Sequence, residues 1–147
     1  MGSLYRSQHE LVLVFTKSGA THRNNVQLGR FGRNRTNVWT YAGVNTFREG
    51  RMDELSAHPT AKPVGMVKDA LLDVTRRGDI VLDPFGGAGA TLMAAERSGR
   101  RARLLEIDPA YVDVILRRWR DETGEDPVRV ADGVSLSALE AEGSHDE

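Results

Sequence analysis

The stretch from Asp83 to Gly99, DPFGGAGATLMAAERSG, constrains this chain more than any other. It starts at the end of a short apolar run, DIVLDPF from Asp79, and turns on three glycines. The pattern then predicts a helix over Ala90 to Arg97, stopped by Gly99. A second apolar run, ARLLEID from Ala102, follows at once. Strand, glycine turn, helix and strand in that order make a crossover, and crossovers join parallel strands. The expected class is α/β with a mostly parallel sheet.

The flanks extend the pattern. Val64, Val67, Leu71 and Val74 recur at helical spacing, so Pro63 to Arg76 reads as an amphipathic helix with proline in its first turn and Gly78 beyond its end. Pro109 to Arg120 reads as another, with Tyr111, Val114, Ile115 and Trp119 on one face; core packing is the simplest role for Tyr111 and Trp119. PVRVAD from Pro127 is a candidate third strand. Together these give roughly half of a doubly wound sheet. Upstream, ELVLVFTK from Glu10 to Lys17 is nearly continuous in apolar residues and fits a buried strand. Ser18 to Ser56 shows no clear element, and HPTAKP is extended because each proline disfavours helix before it. The expected division is a terminal strand over 1–17, a basic segment over 18–57, a ligand-binding half over 58–134 and an acidic, flexible tail over 135–147.

Composition narrows the function. The chain has 147 residues, enough for one domain with a core. Its net charge is −1, but seven Lys/Arg and one acid lie between Lys17 and Arg51, and nine acids and one base between Asp121 and Glu147. That asymmetry suits one anion-facing surface, although charge runs are most often solvated faces. There is no cysteine, hence no disulfide framework and no thiolate chemistry. No apolar run approaches the ~20 residues of a membrane span, and the polar start shows no signal peptide, so a soluble cytoplasmic protein is expected. His and acid residues lack metal-ligand spacing, so no metal site is expected. His9-Glu10, before an apolar strand, is read as structural.

In a parallel sheet, ligands bind at the carboxyl ends of the strands. Gly86, Gly87 and Gly89 let the backbone turn and approach a ligand closely. Glu106 ends the second strand about twenty residues after the glycines, where an acid can accept hydrogen bonds from a ribose diol. The combination points to an adenosine-containing ligand; the bland alternative is a tight turn beside a solvated Glu106. A dinucleotide site would place a third glycine where Leu92 stands. Asp83 at the mouth would repel a pyrophosphate but suits an ammonium group, as in S-adenosylmethionine.

DPFGGAGATLMAAERSGRRARLLEIDPAYVDVILRRW resembles the S-adenosylmethionine-binding region of the DNA amino-methyltransferases, which methylate adenine N6 or cytosine N4. HPTAKPVGMV resembles the block those enzymes place before the cofactor loop, GSLYRSQHELVLVFTK a late strand of their catalytic half, and LGRFGRNRTNVWTY the segment between. The four blocks span about Gly2 to Gly133, in the permuted, β-type order with the cofactor half last. The resemblance implies a partial Rossmann-like methyltransferase fold with the catalytic-half strands largely missing. It assigns Asp83, Phe85, Gly86, Gly87 and Gly89 to the cofactor loop and Glu106 to the ribose. His58, Thr60, Lys62 and Pro63 would close over the methionine end, and Asp132 loosely matches a position by the adenine. Arg30, Arg33, Arg35 and Trp39 form the densest basic-aromatic cluster, whose arginines would contact phosphates of double-stranded DNA with Trp39 packing nearby. The bland alternative is a solvated loop anchored by one tryptophan. Two departures, Ala88-Gly89-Ala90 where the family more often has Ser-Gly-Thr and Leu105 where it often has a small residue, fall in the pocket and point to reduced affinity.

The family's catalytic motif, Asp/Asn/Ser-Pro-Pro-aromatic, accepts hydrogen bonds from the target amine, localises its lone pair and stacks on the flipped base. Asp-Pro occurs at 83, 108 and 126, never with a second proline. No catalytic residue is therefore assigned. The expectation is the C-terminal, cofactor-binding part of a restriction-modification type methyltransferase, adenine N6 favoured over cytosine N4, inactive alone and served by a second chain or a missing half. The competing expectations are a non-catalytic DNA- or partner-binding module and, less well supported, a nicotinamide-dependent oxidoreductase fragment.

Overall fold

The computed structural model describes residues 4, 9–30, 34–41 and 62–143. Its elements are α1 (Val64–Val74), β1 (Ile80–Asp83), α2 (Ala90–Glu96), β2 (Arg101–Leu104), α3 (Pro109–Thr123) and α4 (Leu136–Gly143). β1 and β2 are parallel, with Ile80 opposite Arg101 and Asp83 opposite Leu104. This is the expected crossover, and the fold is a partial Rossmann-like α/β unit.

Pro63 caps α1, its fixed φ of −59° preset for the first turn. The helix stops at Val74 because Thr75 turns extended, its N–H still donating to the Leu71 carbonyl at 2.9 Å. Gly78, at φ 83°, then donates to the Gly99 carbonyl at 2.7 Å, which draws the entrance of β1 against the exit of α2. α2 lies between α1 and β2. Met93, Ala94 and Ala95 on it are fully buried, the two alanines small enough to let its neighbours approach. α3 begins with Asp108, which accepts from the Ala110 N–H at 2.9 Å, and ends at Gly124 in the left-handed region. Its buried residue is Ile115.

One face of the sheet is half-covered, through Val81, Asp83, Ala102 and Leu104; the other presents exposed Ile80 and Leu82 beside Arg101 and Arg103.

Three expectations are corrected. Leu11 to Phe15 is no buried strand: each residue is 73% exposed or more, and among the described residues no β-ladder includes them. An apolar run becomes a buried strand only where another strand lies beside it. PVRVAD is no third strand of the sheet. It turns back on itself, with one antiparallel bridge between Val128 and Ser135 and Gly133 at φ 75°. The tail is not wholly frayed, since α4 forms over Leu136–Gly143. Leu136 is buried, and Glu140 pairs with Arg117 at 2.7 Å and Arg120 at 2.8 Å on α3. Those two guanidinium groups hold the Glu140 carboxyl below its ordinary range. Local composition suggested disorder; contacts to α3 override it.

Candidate cofactor site and the basic segment

The glycine turn is built from backbone hydrogen bonds between the ends of β1 and β2. Asp83 Oδ1 accepts from the Phe85 N–H at 3.0 Å, closing a small loop around Pro84. The Leu105 N–H donates to the Asp83 carbonyl at 2.9 Å, and the Gly86 N–H to the Leu105 carbonyl at 2.8 Å. The turn is thereby fixed to the carboxyl end of the sheet, where the sequence placed it.

The three glycines have different reasons. Gly86 is buried, and a Cβ there would meet Ile115 Cδ1 and Leu104 Cδ2, each at 3.3 Å. Gly89 has φ 77°, caps α2, and would press a Cβ to 3.2 Å from Ile115 Cγ1. Packing against Ile115 of α3 bears on both, joined by Leu104 at Gly86 and by the left-handed backbone at Gly89. Gly87, at φ 50°, turns its N–H onto Glu106 Oε2 at 2.7 Å.

Glu106 is the organising acid. Besides Gly87, its Oε1 accepts from the Ile107 N–H at 2.9 Å and the Asp108 N–H at 3.0 Å. A carboxylate with three backbone donors is held in one orientation at the strand end. Phe85 and Ile107, 85% and 98% exposed, flank this end with apolar surface. Arg118 on α3 donates from Nη1 to the Ala88 carbonyl at 2.7 Å, bracing the turn from behind. Sequence reading assigned no role to Ile107 or Arg118. Ile107 could have been found as an apolar residue directly after the strand-ending acid; Arg118 leaves no local signal.

The other site candidates are not all gathered here. Lys62 is exposed and pairs with Glu10, at 2.8 Å and 3.0 Å to its two oxygens. Pro63 serves as the α1 cap. His58, Thr60 and Arg33 lie outside the described residues. Asp132 pairs with Arg129 within its own turn, which lowers its pKa from the ordinary carboxylate value.

In the basic segment, Arg30 donates to Gln27 Oε1 at 3.3 Å. Arg35 is turned inward. It pairs with Asp69 at 3.3 Å and Asp73 at 3.2 Å on α1, and its guanidinium carbon lies 3.9 Å over the centre of the Trp39 ring. Trp39 Nε1 donates to the Thr36 carbonyl at 2.9 Å. A shallow cleft of about 500 Å³, lined by Asn25, Val26, Asn34, Arg35, Leu72 and Asp73, lies between the segment and α1 rather than at the glycine turn.

A parallel crossover with a glycine turn and a fixed acid at its carboxyl end defines a Rossmann-like cofactor fold. Comparison with known proteins supplies the family. The DNA methylase family, of the N6 and N4 type, matches residues 2–117, and the chain belongs to it. A DNA adenine methyltransferase of Escherichia coli is 42% identical over 82 residues, 56% of this chain and 26% of that protein. A type II methyltransferase of Citrobacter freundii is 32% identical over 120 residues, 78% of this chain and 37% of that one. The solved PvuII DNA methyltransferase, cytosine-N4-specific, is 22% identical with a TM-score of 0.55, over 69% of this chain and 37% of its own; this likeness concerns the fold alone. The chain thus spans 26% to 40% of the length of the curated relatives it matches first. Among the described residues no helix is long and apolar enough to cross a membrane.

Proposed function

We propose that this chain is the cofactor-binding part of a DNA methyltransferase that moves a methyl group from S-adenosylmethionine to an exocyclic amine of double-stranded DNA in the cytoplasm. The observation that carries this reading is Glu106, oriented by Gly87, Ile107 and Asp108 at the carboxyl end of β2, in a chain of the DNA methylase family. Bound there, the cofactor would supply an electrophilic methyl group on a sulfonium. Glu106 would accept from the ribose hydroxyls, Phe85 and Ile107 would cover the adenine, and Asp83 would face the ammonium. His58, Thr60, Lys62 and Pro63 keep their assignment to the methionine end, and the division at 17, 57 and 134 stays part of the reading. Adenine N6 rather than cytosine N4 is kept as the favoured target within this reading.

The groups that localise the amine lone pair come, in this reading, from outside these 147 residues, in a longer chain or a second one. The exposed Ile80, Leu82 and Leu11 to Phe15 are apolar surface that such a half would cover.

Calorimetric titration with S-adenosylmethionine, with NAD as control, tests the reading. Selective binding lost in Asp83→Ala is expected. Binding of NAD instead, or no binding by a chain whose amide exchange shows it folded, would overturn it.

A further inference from the structure

We infer that Arg35 is a positioning residue and not a phosphate contact: with Tyr41 and Asn25 it fastens the basic segment to α1, so that the segment's other cations are presented to DNA from a fixed seat. Asp69 and Asp73 stand one turn apart on one face of α1. Arg35 reaches both, and its other side is covered by Trp39. Tyr41 completes the cluster. Its hydroxyl donates to Asp69 Oδ2 and accepts from Arg35 Nη2 at 3.4 Å, and its ring meets Trp39 edge-on at 6.3 Å. Burial, and then the Asp69 carboxylate, push the Tyr41 phenol above its ordinary pKa, so it stays a donor at neutral pH.

Charge decides between the two roles. One guanidinium against two carboxylates leaves this spot net negative, which repels a phosphate. To reach one, Arg35 would have to leave both aspartates and the indole.

Asn25 makes the second fastening. Its Nδ2 donates to the Leu72 and Thr75 carbonyls, each at 2.8 Å, and its backbone N–H to the Asp73 carbonyl at 2.9 Å. These are carbonyls at the end of α1 that the helix itself cannot satisfy. Since α1 packs on α2 and leads into β1, the segment is seated on the cofactor half. Exposed Lys17 and Arg30 are left to face phosphates.

The test uses the whole chain in a Trp119→Phe background, leaving Trp39 as reporter. In the double variant Asp69→Asn with Asp73→Asn, amide exchange at Asn25 and over 34–41 should rise roughly tenfold or more, while 80–83 and 101–104 keep their protection. Trp39 emission should shift to the red. Arg35→Ala should leave the salt slope of binding to a mixed-sequence DNA duplex unchanged. The inference is overturned if the double variant binds DNA more tightly with unchanged exchange, or if Arg35→Ala reduces the slope by about 0.9. Should the double variant unfold, Tyr41→Phe removes only the hydroxyl; a rise confined to the segment supports the inference, and no rise overturns it. The DNA arm rests on the proposed function, the exchange arm does not. Absence of all DNA binding would therefore sink that function while exchange still decides the clamp.

Discussion

The crossover from Asp79 to Asp108 and the segment from Glu10 to Tyr41 are held in opposite ways. In the crossover, β1 pairs with β2 across the intervening α2, α2 packs on β2, and the joints are backbone hydrogen bonds between strand ends. In the segment, no described residue lies in a helix or strand, and the joints are mostly side chains paired with residues 38 to 50 positions away in sequence, Arg35 with Asp73 and Asn25 with Leu72 and Thr75. The difference teaches where each kind of information sits. Glycine spacing and alternation write the first into local sequence. The second depends on which distant acid an arginine finds.

The comparison breaks most sharply at Ile115, where α3 supports the turn through Gly86 and Gly89. Ile115→Ala removes the α3 side chain that packs closest to both glycines, and should cost about 3 kcal/mol in denaturant unfolding. Added bulk at Gly89 should not restore it, because φ 77° strains any other residue there. If Ile115→Ala is neutral, the glycines answer to a ligand and not to α3.

Glu106→Ala comes next. Removing a carboxylate that collects three backbone N–H groups frees the turn and deletes the proposed ribose acceptor. S-adenosylmethionine affinity should fall by ten- to roughly a hundredfold, the equivalent of about 2 kcal/mol for charged hydrogen bonds. Calorimetry reads it directly, and unchanged affinity would place the cofactor elsewhere.

These two expectations concern the legible region. β1, α2, β2 and α3 all lie where periodicity and glycines put them, to within a few residues, and Glu106 stands beside Gly87 as its position after the strand implied. The failures share a cause. Leu11 to Phe15 has strand composition, but the described residues hold no strand beside it to bury it. The clustering of basic residues around Arg35 in sequence suggests a DNA contact, whereas its pairing with two aspartates supports the positioning role inferred above. Its commitment to Asp69 and Asp73, more than thirty positions away, has no local trace. α4 was missed for the same reason, since Glu140 pairs with Arg117 and Arg120 on another helix.

Within the segment, Asn25→Ala sharpens the comparison at smaller cost. Three hydrogen bonds to the end of α1 involve Asn25, two of them from its side chain. Stability should drop by about 1 kcal/mol, with faster exchange over the segment but little change in β1. An equal loss of protection in β1 would mean that segment and crossover unfold as one unit.

The smallest effect is electrostatic and lies between α2 and α3. Arg97 holds both oxygens of Glu122, and that hydrogen-bonded pairing lowers the Glu122 pKa from its ordinary 4.5, against the opposing effect of burial. A carboxyl lowered in the folded state is deprotonated more readily there than in the unfolded chain, so it stabilises the fold above 4.5. That contribution is lost as pH falls from 4.5 through the lower folded value, where the unfolded state binds the extra proton. Arg97 is 46% exposed, so salt screens the pair and it is worth only about 0.5 kcal/mol. Glu140 and Asp132 are lowered by their own arginines and lose stability in the same direction. Glu122→Gln should therefore shift the acid limb of the stability curve slightly without abolishing it, and the shift should shrink in high salt. Acid unfolding followed in both variants at low and high ionic strength checks this. An identical limb would mean that the α2–α3 joint rests on Trp119, whose Nε1 donates to Glu96 at 3.1 Å, and not on the ion pair.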